Sequence, residues 1–111
     1  MTGLLVALGA ACGAALRFLV GIGLDRRVHW GTLTVNLVGS FLLGTLVGAA
    51  VGGNEMALLG TGFCGGLTTY SSFAVQSVHA GPRRATAYVV ATVAGCLLAA
   101  TLGHLLVTQV I

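Results

Sequence analysis

The sequence predicts an all-α membrane protein of four transmembrane helices, the third of them broken. Three observations carry this reading. Hydrophobic residues make up 57% and charged residues 6% of the 111 residues, against about 45–50% and ~25% in soluble domains. So little charge cannot coat a water-facing surface. The apolar residues fall into four runs, each close to the ~20 residues that span a hydrocarbon core. Glycine occurs 18 times and proline once. With no G-X-Y repeat, that excess suits close helix packing in lipid rather than collagen or disorder. The length gives room for a single transmembrane domain over residues 1–111.

The runs place helices at about 4–24, 33–51, 56–78 and 85–111, joined by short loops at 25–31, 52–55 and 79–84. The first run lacks a basic leader and is too long for a signal-peptide core, so it reads as a retained helix. Gly9 and Gly13 give it a small-residue face. Arg17 is the only cation inside any run. It either snorkels to the interface or draws anions into a vestibule.

In the second run Thr32, Asn36, Ser40, Gly44 and Gly48 recur every four residues and share a face. The Asn36 amide offers two donors and an acceptor. Two uses stand equal: an interhelical hydrogen bond, or contact with a passing solute.

The third run carries Gly65-Gly66-Leu67-Thr68-Thr69-Tyr70-Ser71-Ser72-Phe73 at its centre. Paired glycine followed by paired threonine is poor helix sequence, which predicts a break at Gly65-Gly66. At membrane depth a break is tolerated only inside protein or a wet cavity. The freed carbonyls suit a hard cation such as Na+. Tyr70 and Phe73 lie three apart on one face, with Gln76 a step further. Ring edges are electropositive and can face a small anion; the plainer reading is two core aromatics beside a kink. The fourth run repeats Ala91, Gly95, Ala99 and Gly103 at four-residue spacing, a further packing face.

The charges set orientation. Arg26 and Arg27 stand in loop one, Arg83 and Arg84 in loop three, and loop two has neither Lys nor Arg. The positive-inside rule puts loops one and three in the cytoplasm and both termini outside. Five arginines, four of them in two short loops, make no basic stripe for nucleic acid. Cys12, Cys64 and Cys96 are far apart in apolar runs, without zinc spacing, and read as small buried hydrophobes. His29, His79 and His104 fall near helix ends. No run contains Asp or Glu, which argues against a proton-coupled drug antiporter and leaves no acid–base pair for an enzyme. A non-transporting assembly protein would need neither the broken run nor the Asn36 stripe.

Gly31-Thr32-Leu33-Thr34-Val35-Asn36-Leu37-Val38-Gly39-Ser40-Phe41 resembles the second-helix signature of the CrcB/Fluc fluoride channel family. Gly62-Phe63-Cys64-Gly65-Gly66-Leu67-Thr68-Thr69-Tyr70-Ser71-Ser72-Phe73 resembles its third-helix signature, and Arg17 fits its first-helix arginine. The resemblance implies an antiparallel dual-topology dimer with two fluoride pathways along the subunit interface. It implies passive efflux of cytoplasmic fluoride across the cell membrane, giving fluoride resistance, and no enzyme activity. It further implies a central structural Na+ held by the carbonyls of Gly65 and Thr68 and their partner equivalents. The family's pore asparagine falls on Asn36 and the threonine before it on Thr32. Its two pore phenylalanines fall on Tyr70 and Phe73, with the intervening hydroxyls on Ser71 and Ser72. Thr92 and Thr101 are candidates for the fourth-helix polar track.

Two positions depart from the family pattern: Tyr70 replaces a usual Phe, and Gln76 a common Glu. The four-to-zero arginine bias also differs from the near-neutral balance a dual-topology homodimer needs. Partners therefore divide into a second copy or an oppositely oriented homologue. In a mixed pair each chain tolerates one degraded pathway.

Overall fold

The computed structural model describes residues 2–24, 30–79 and 81–110, apart from the side chains of Leu24, Ser71 and Ser72. The described residues form helices and no strand. Helix α1 covers Thr2–Leu24 and α2 covers Trp30–Gly48. The third span opens with α3 (Gly53–Glu55), passes into a π-helical stretch over Met56–Cys64, and ends as α4 (Gly65–Leu67). It resumes as α5 (Tyr70–His79), and α6 (Pro82–Val110) completes the chain. Thr2–Gly23, Trp30–Gly48 and Pro82–Val110 are each long and apolar enough to cross a membrane as single helices. The third apolar run is instead built of shorter helical pieces, interrupted at Thr68-Thr69.

The helix ends differ from the sequence expectation for local reasons. Helix α2 begins three residues before the expected 33 and stops at Gly48 rather than 51. Its end is a Schellman motif: the Val51 N–H donates to the Leu46 carbonyl at 3.0 Å and the Ala50 N–H to Val47 at 3.0 Å. This turn holds Ala50 at φ 58°, a left-handed position that glycine usually fills. Helix α6 starts at Pro82, not 85, which takes Arg83 and Arg84 into its first turn. Proline suits a first helical position because its missing N–H would have no helical partner. Gly81, at φ 87°, reverses the chain just before it and accepts the Ala85 N–H at 2.7 Å.

Packing rests on two seams, each joining helices that run the same way. In one, α1 lies along the third span, and Cβ atoms at Gly9, Gly13, Gly62 or Gly66 would overlap or crowd the facing backbone. Gly9 meets Leu58 and Phe63, while Gly66 meets Ala10. In the other, α2 lies along α6, with Gly44 on the Ala100 backbone, Gly48 against His104 and Gly103 on Phe41. Backbone contact of this kind is how small residues bring helices together in lipid. The small-residue ladder of α6 is used unevenly: Gly103 is buried in its seam, whereas Ala91 is exposed. The wide π-turns carry Met56 back over Gly60, where only hydrogen leaves room for the thioether.

The subunit is a slab of 42 × 31 × 20 Å. Its fully enclosed apolar side chains are few and small, chiefly Val35, Ala57, Cys64 and Leu67. Large apolar residues such as Phe18, Leu19, Leu97 and Leu98 face outward. That inversion of the soluble pattern is what lipid as solvent demands.

Candidate functional site

The break falls on Thr68-Thr69, two residues beyond the glycine pair expected to cause it. Gly65 and Gly66 remain helical, and Thr68 turns extended at φ −78°, ψ 156°. The glycines serve other purposes: Gly66 lets α4 touch Ala10, and Gly65 opens onto a groove. Helix α4 is closed from within, since Cys64 accepts both the Thr68 N–H at 3.0 Å and the Thr68 hydroxyl at 2.9 Å. Gly39 on α2 makes space for the Thr68 methyl, which a Cβ there would overlap.

The next peptide is held by Asn36. The Thr69 N–H donates to Asn36 Oδ1 at 2.7 Å, and Asn36 Nδ2 donates to the Thr69 carbonyl at 3.2 Å. One side-chain amide thus satisfies both the N–H and the carbonyl of a residue that a continuous helix would have paired within itself. Asn36 is 7% exposed, so the interhelical bond is real, and its second Nδ2 hydrogen is a further donor. In an unbroken α-helix the Thr69 N–H would close onto the Gly65 carbonyl. Here it does not, and Gly65 is exposed beside an open groove of about 350 Å³ lined by Ser40, Thr61, Gly65 and Thr68.

Beyond the break lies an aromatic row. Phe73 stands between Tyr70 (centroids 6.2 Å, planes 57° apart) and Tyr88 of α6 (5.4 Å, 46°). These tilted pairs turn ring edges toward ring faces, the favoured arrangement. Tyr70 is 81% exposed and projects off the subunit. The Tyr88 hydroxyl donates to Gln76 Oε1 at 3.1 Å. This aligns the Gln76 amide and ties α5 to α6.

The remaining sequence candidates spread around this centre. Thr32 is buried on the Asn36 face, one turn away. Arg17 is half-buried on α1. Thr92 is buried at 4% exposure, and its hydroxyl finds no partner among the described residues. Thr101 is exposed and donates back to the Leu97 carbonyl at 2.8 Å. It lines a separate groove between α2 and α6. The side chains of Ser71 and Ser72 lie outside the described residues, as do Arg26, Arg27 and His29. Two participants escaped the sequence reading: the Thr69 peptide and Tyr88. Tyr88 and Thr92 are four apart on one helix face, so their spacing was there to be read.

Fold and site together define a small multi-pass membrane protein whose third span is broken at a neutral, hydrogen-bonded polar centre. Residues 4–104 match the family described as CrcB-like protein, Camphor Resistance (CrcB), and the chain belongs to that family. It is 54% identical over 109 residues to "Fluoride-specific ion channel FluC 2" of Rhodococcus jostii, covering 93% of this chain and 96% of that one. It is 47% identical over 107 residues to "Fluoride-specific ion channel FluC 1" of the same organism, covering 90% and 80%. A third relative, "Fluoride-specific ion channel FluC 1" of Frankia casuarinae, is 41% identical over 113 residues, covering 90% and 88%.

Proposed function

We propose that this chain is a subunit of a fluoride-selective channel that lets cytoplasmic fluoride leave the cell passively and so gives fluoride resistance. Membership of the family and the names of its relatives support the ion. The observation that carries the site is the break at Thr68-Thr69, held open by Asn36 and followed by the Tyr70–Phe73–Tyr88 row. Fluoride is small and strongly hydrated, so a pathway must replace its water. Hydroxyls, amide N–H groups and ring edges do this without a full positive charge, and sites of modest depth release the ion as readily as they take it.

In this reading Asn36, Thr32, Tyr70, Phe73, Ser71 and Ser72 line the anion path and Arg17 draws anions toward it. Thr92 suits the path better than Thr101, because its buried hydroxyl has no partner among the described residues, whereas Thr101 is already bonded and faces another groove.

The carbonyls of Gly65 and Thr68 suit a structural Na+. They are hard oxygen donors at a helix break, and the donor that would occupy the Gly65 carbonyl is taken by Asn36. Held by these carbonyls, a Na+ would supply fixed positive charge beside the break. A single slab encloses no pathway, and Tyr70 and Gly65 face outward, which supports assembly with a second, inverted subunit.

A heterodimer with an oppositely oriented homologue is favoured by one observation, the four arginines on one side against none on the other. Purified chain in liposomes tests both points. Fluoride efflux sensitive to Phe73→Ile supports the channel and excludes an obligate second gene product. Efflux appearing only with a co-purified homologue supports the mixed pair. No efflux in either preparation overturns the assignment.

A further inference from the structure

We infer that Asn36 is the positioning residue that creates the cation site, by taking the Thr69 N–H away from the Gly65 carbonyl. The inference rests on the Na+ reading above and assigns to Asn36 a task distinct from touching the anion. Two acceptors compete for one donor: in helical register the Thr69 N–H would close on the Gly65 carbonyl, four residues back, and Asn36 Oδ1 offers an alternative from the neighbouring helix. The N–H donates to Asn36 at 2.7 Å. The Thr69 carbonyl accepts from the same amide at 3.2 Å, so the peptides on both sides of Thr69 are held to α2, which opposes their return to helical register.

The described helix before it, Gly65–Leu67, carries no distortion of its own that would place the break at this residue. Gly65 sits at φ −63°, ψ −38°, ordinary helix. Leu67 is helical and wholly buried. Thr68 is closed onto Cys64 by its own N–H and hydroxyl, as a helical threonine is. From Gly65 the helix runs normally up to the residue that Asn36 captures. Glycine at 65 is consistent with this: a Cβ there meets nothing nearer than 4.0 Å, so the residue is not small for packing within the subunit. Its carbonyl lies beside the open groove that Ser40 and Thr61 also line.

Without an acceptor at position 36 the Thr69 N–H returns to Gly65, α4 extends by a residue, and a donor set loses its oxygen. An anion-contact role alone makes no such prediction, since the cation's oxygens would be untouched.

The test measures Na+ binding without transport. Wild type, Asn36→Leu and Asn36→Asp are purified with N-methylglucamine as the only added cation, then titrated with NaCl while thermal unfolding in detergent is followed. The wild type should be stabilised saturably. Asn36→Leu, similar in size but without an acceptor, should bind Na+ at least tenfold more weakly. Asn36→Asp keeps an acceptor oxygen whether ionised or not, so it should bind within about threefold of wild type while losing fluoride efflux. An Asn36→Leu protein that binds Na+ as wild type does overturns the inference and leaves the Na+ reading standing. A wild type with no Na+ response overturns that reading and this inference with it. Should Asn36→Leu not fold, Asn36→Asp decides: a folded protein with its Na+ response intact and its efflux gone supports the division of roles, and one with neither overturns it.

Discussion

Alanine at the two neighbouring glycines of α4 should act in opposite directions. Gly66 backs onto α1, where a Cβ would lie 2.8 Å from the Ala10 Cα and 3.0 Å from its carbonyl carbon. Carbon atoms rest at about 3.5–4.0 Å, so the two helices must part by roughly 0.5–1 Å. A gap of that size forfeits about a quarter to a half of the attraction between facing atoms. Gly9, Gly13 and Gly62 lie on the same seam and lose contact with it. Overpacking of this kind costs about 1–3 kcal/mol, against which alanine's better helix propensity returns up to ~1 kcal/mol. Gly66→Ala should therefore lose up to about 2 kcal/mol of subunit stability. Gly65→Ala meets no atom nearer than 4.0 Å and keeps ordinary helical angles. It should gain up to ~1 kcal/mol. Unfolding each variant with SDS in mixed micelles, at dilutions where the subunit is monomeric, reads the difference directly. Equal stabilities, or a more stable Gly66→Ala, would show that the seam is not built backbone on backbone.

Other substitutions probe the same structure. Tyr88→Phe keeps the stack on Phe73 and removes the donor to Gln76, so stability should fall by about 1 kcal/mol, with a larger fractional loss of fluoride efflux than of folded protein. Ala50→Gly relieves a left-handed alanine and should raise stability by about 1 kcal/mol in the same unfolding assay; no change would mean that the turn after α2 relaxes otherwise. Gly39→Ala displaces the Thr68 methyl and should abolish efflux while the protein still purifies as a folded species. Asn54→Lys combined with Arg83→Ala and Arg84→Ala weakens the arginine bias, so terminal reporter fusions that read a single orientation in the wild type should divide between both.

The three continuous span-length helices were legible because lipid leaves a signal that needs no tertiary context: a long apolar run stands out wherever its neighbours lie. Asn36, Tyr70 and Phe73 were equally visible, as polar or aromatic groups at regular spacing in such runs. The break was misplaced by two residues for a physical reason. Propensity marks glycine as the breaker, but Gly66 is spent on contact with Ala10, and the interruption comes from a side chain 33 residues away from the peptide it captures. The Tyr88–Gln76 bond depends on how α5 meets α6, which no local pattern encodes. The early start of α6 was legible, since Pro82 after Gly81 is a helix-opening pair. The left-handed turn at Ala50 was not, since alanine gives no hint of it.

The length of α5 has a geometric consequence. Its ten residues, Tyr70–His79, rise about 15 Å, half of a hydrocarbon layer roughly 30 Å thick. The Thr68-Thr69 interruption therefore sits close to the bilayer midplane. A two-fold axis lying in the membrane plane exchanges every height with its mirror depth, and only the midplane maps onto itself. At that depth the interruptions of two inverted copies would face each other at one level. One extra helical turn in α5 would shift the interruption by about 5.4 Å and leave the two copies with separate, half-built centres on opposite sides of the bilayer's middle.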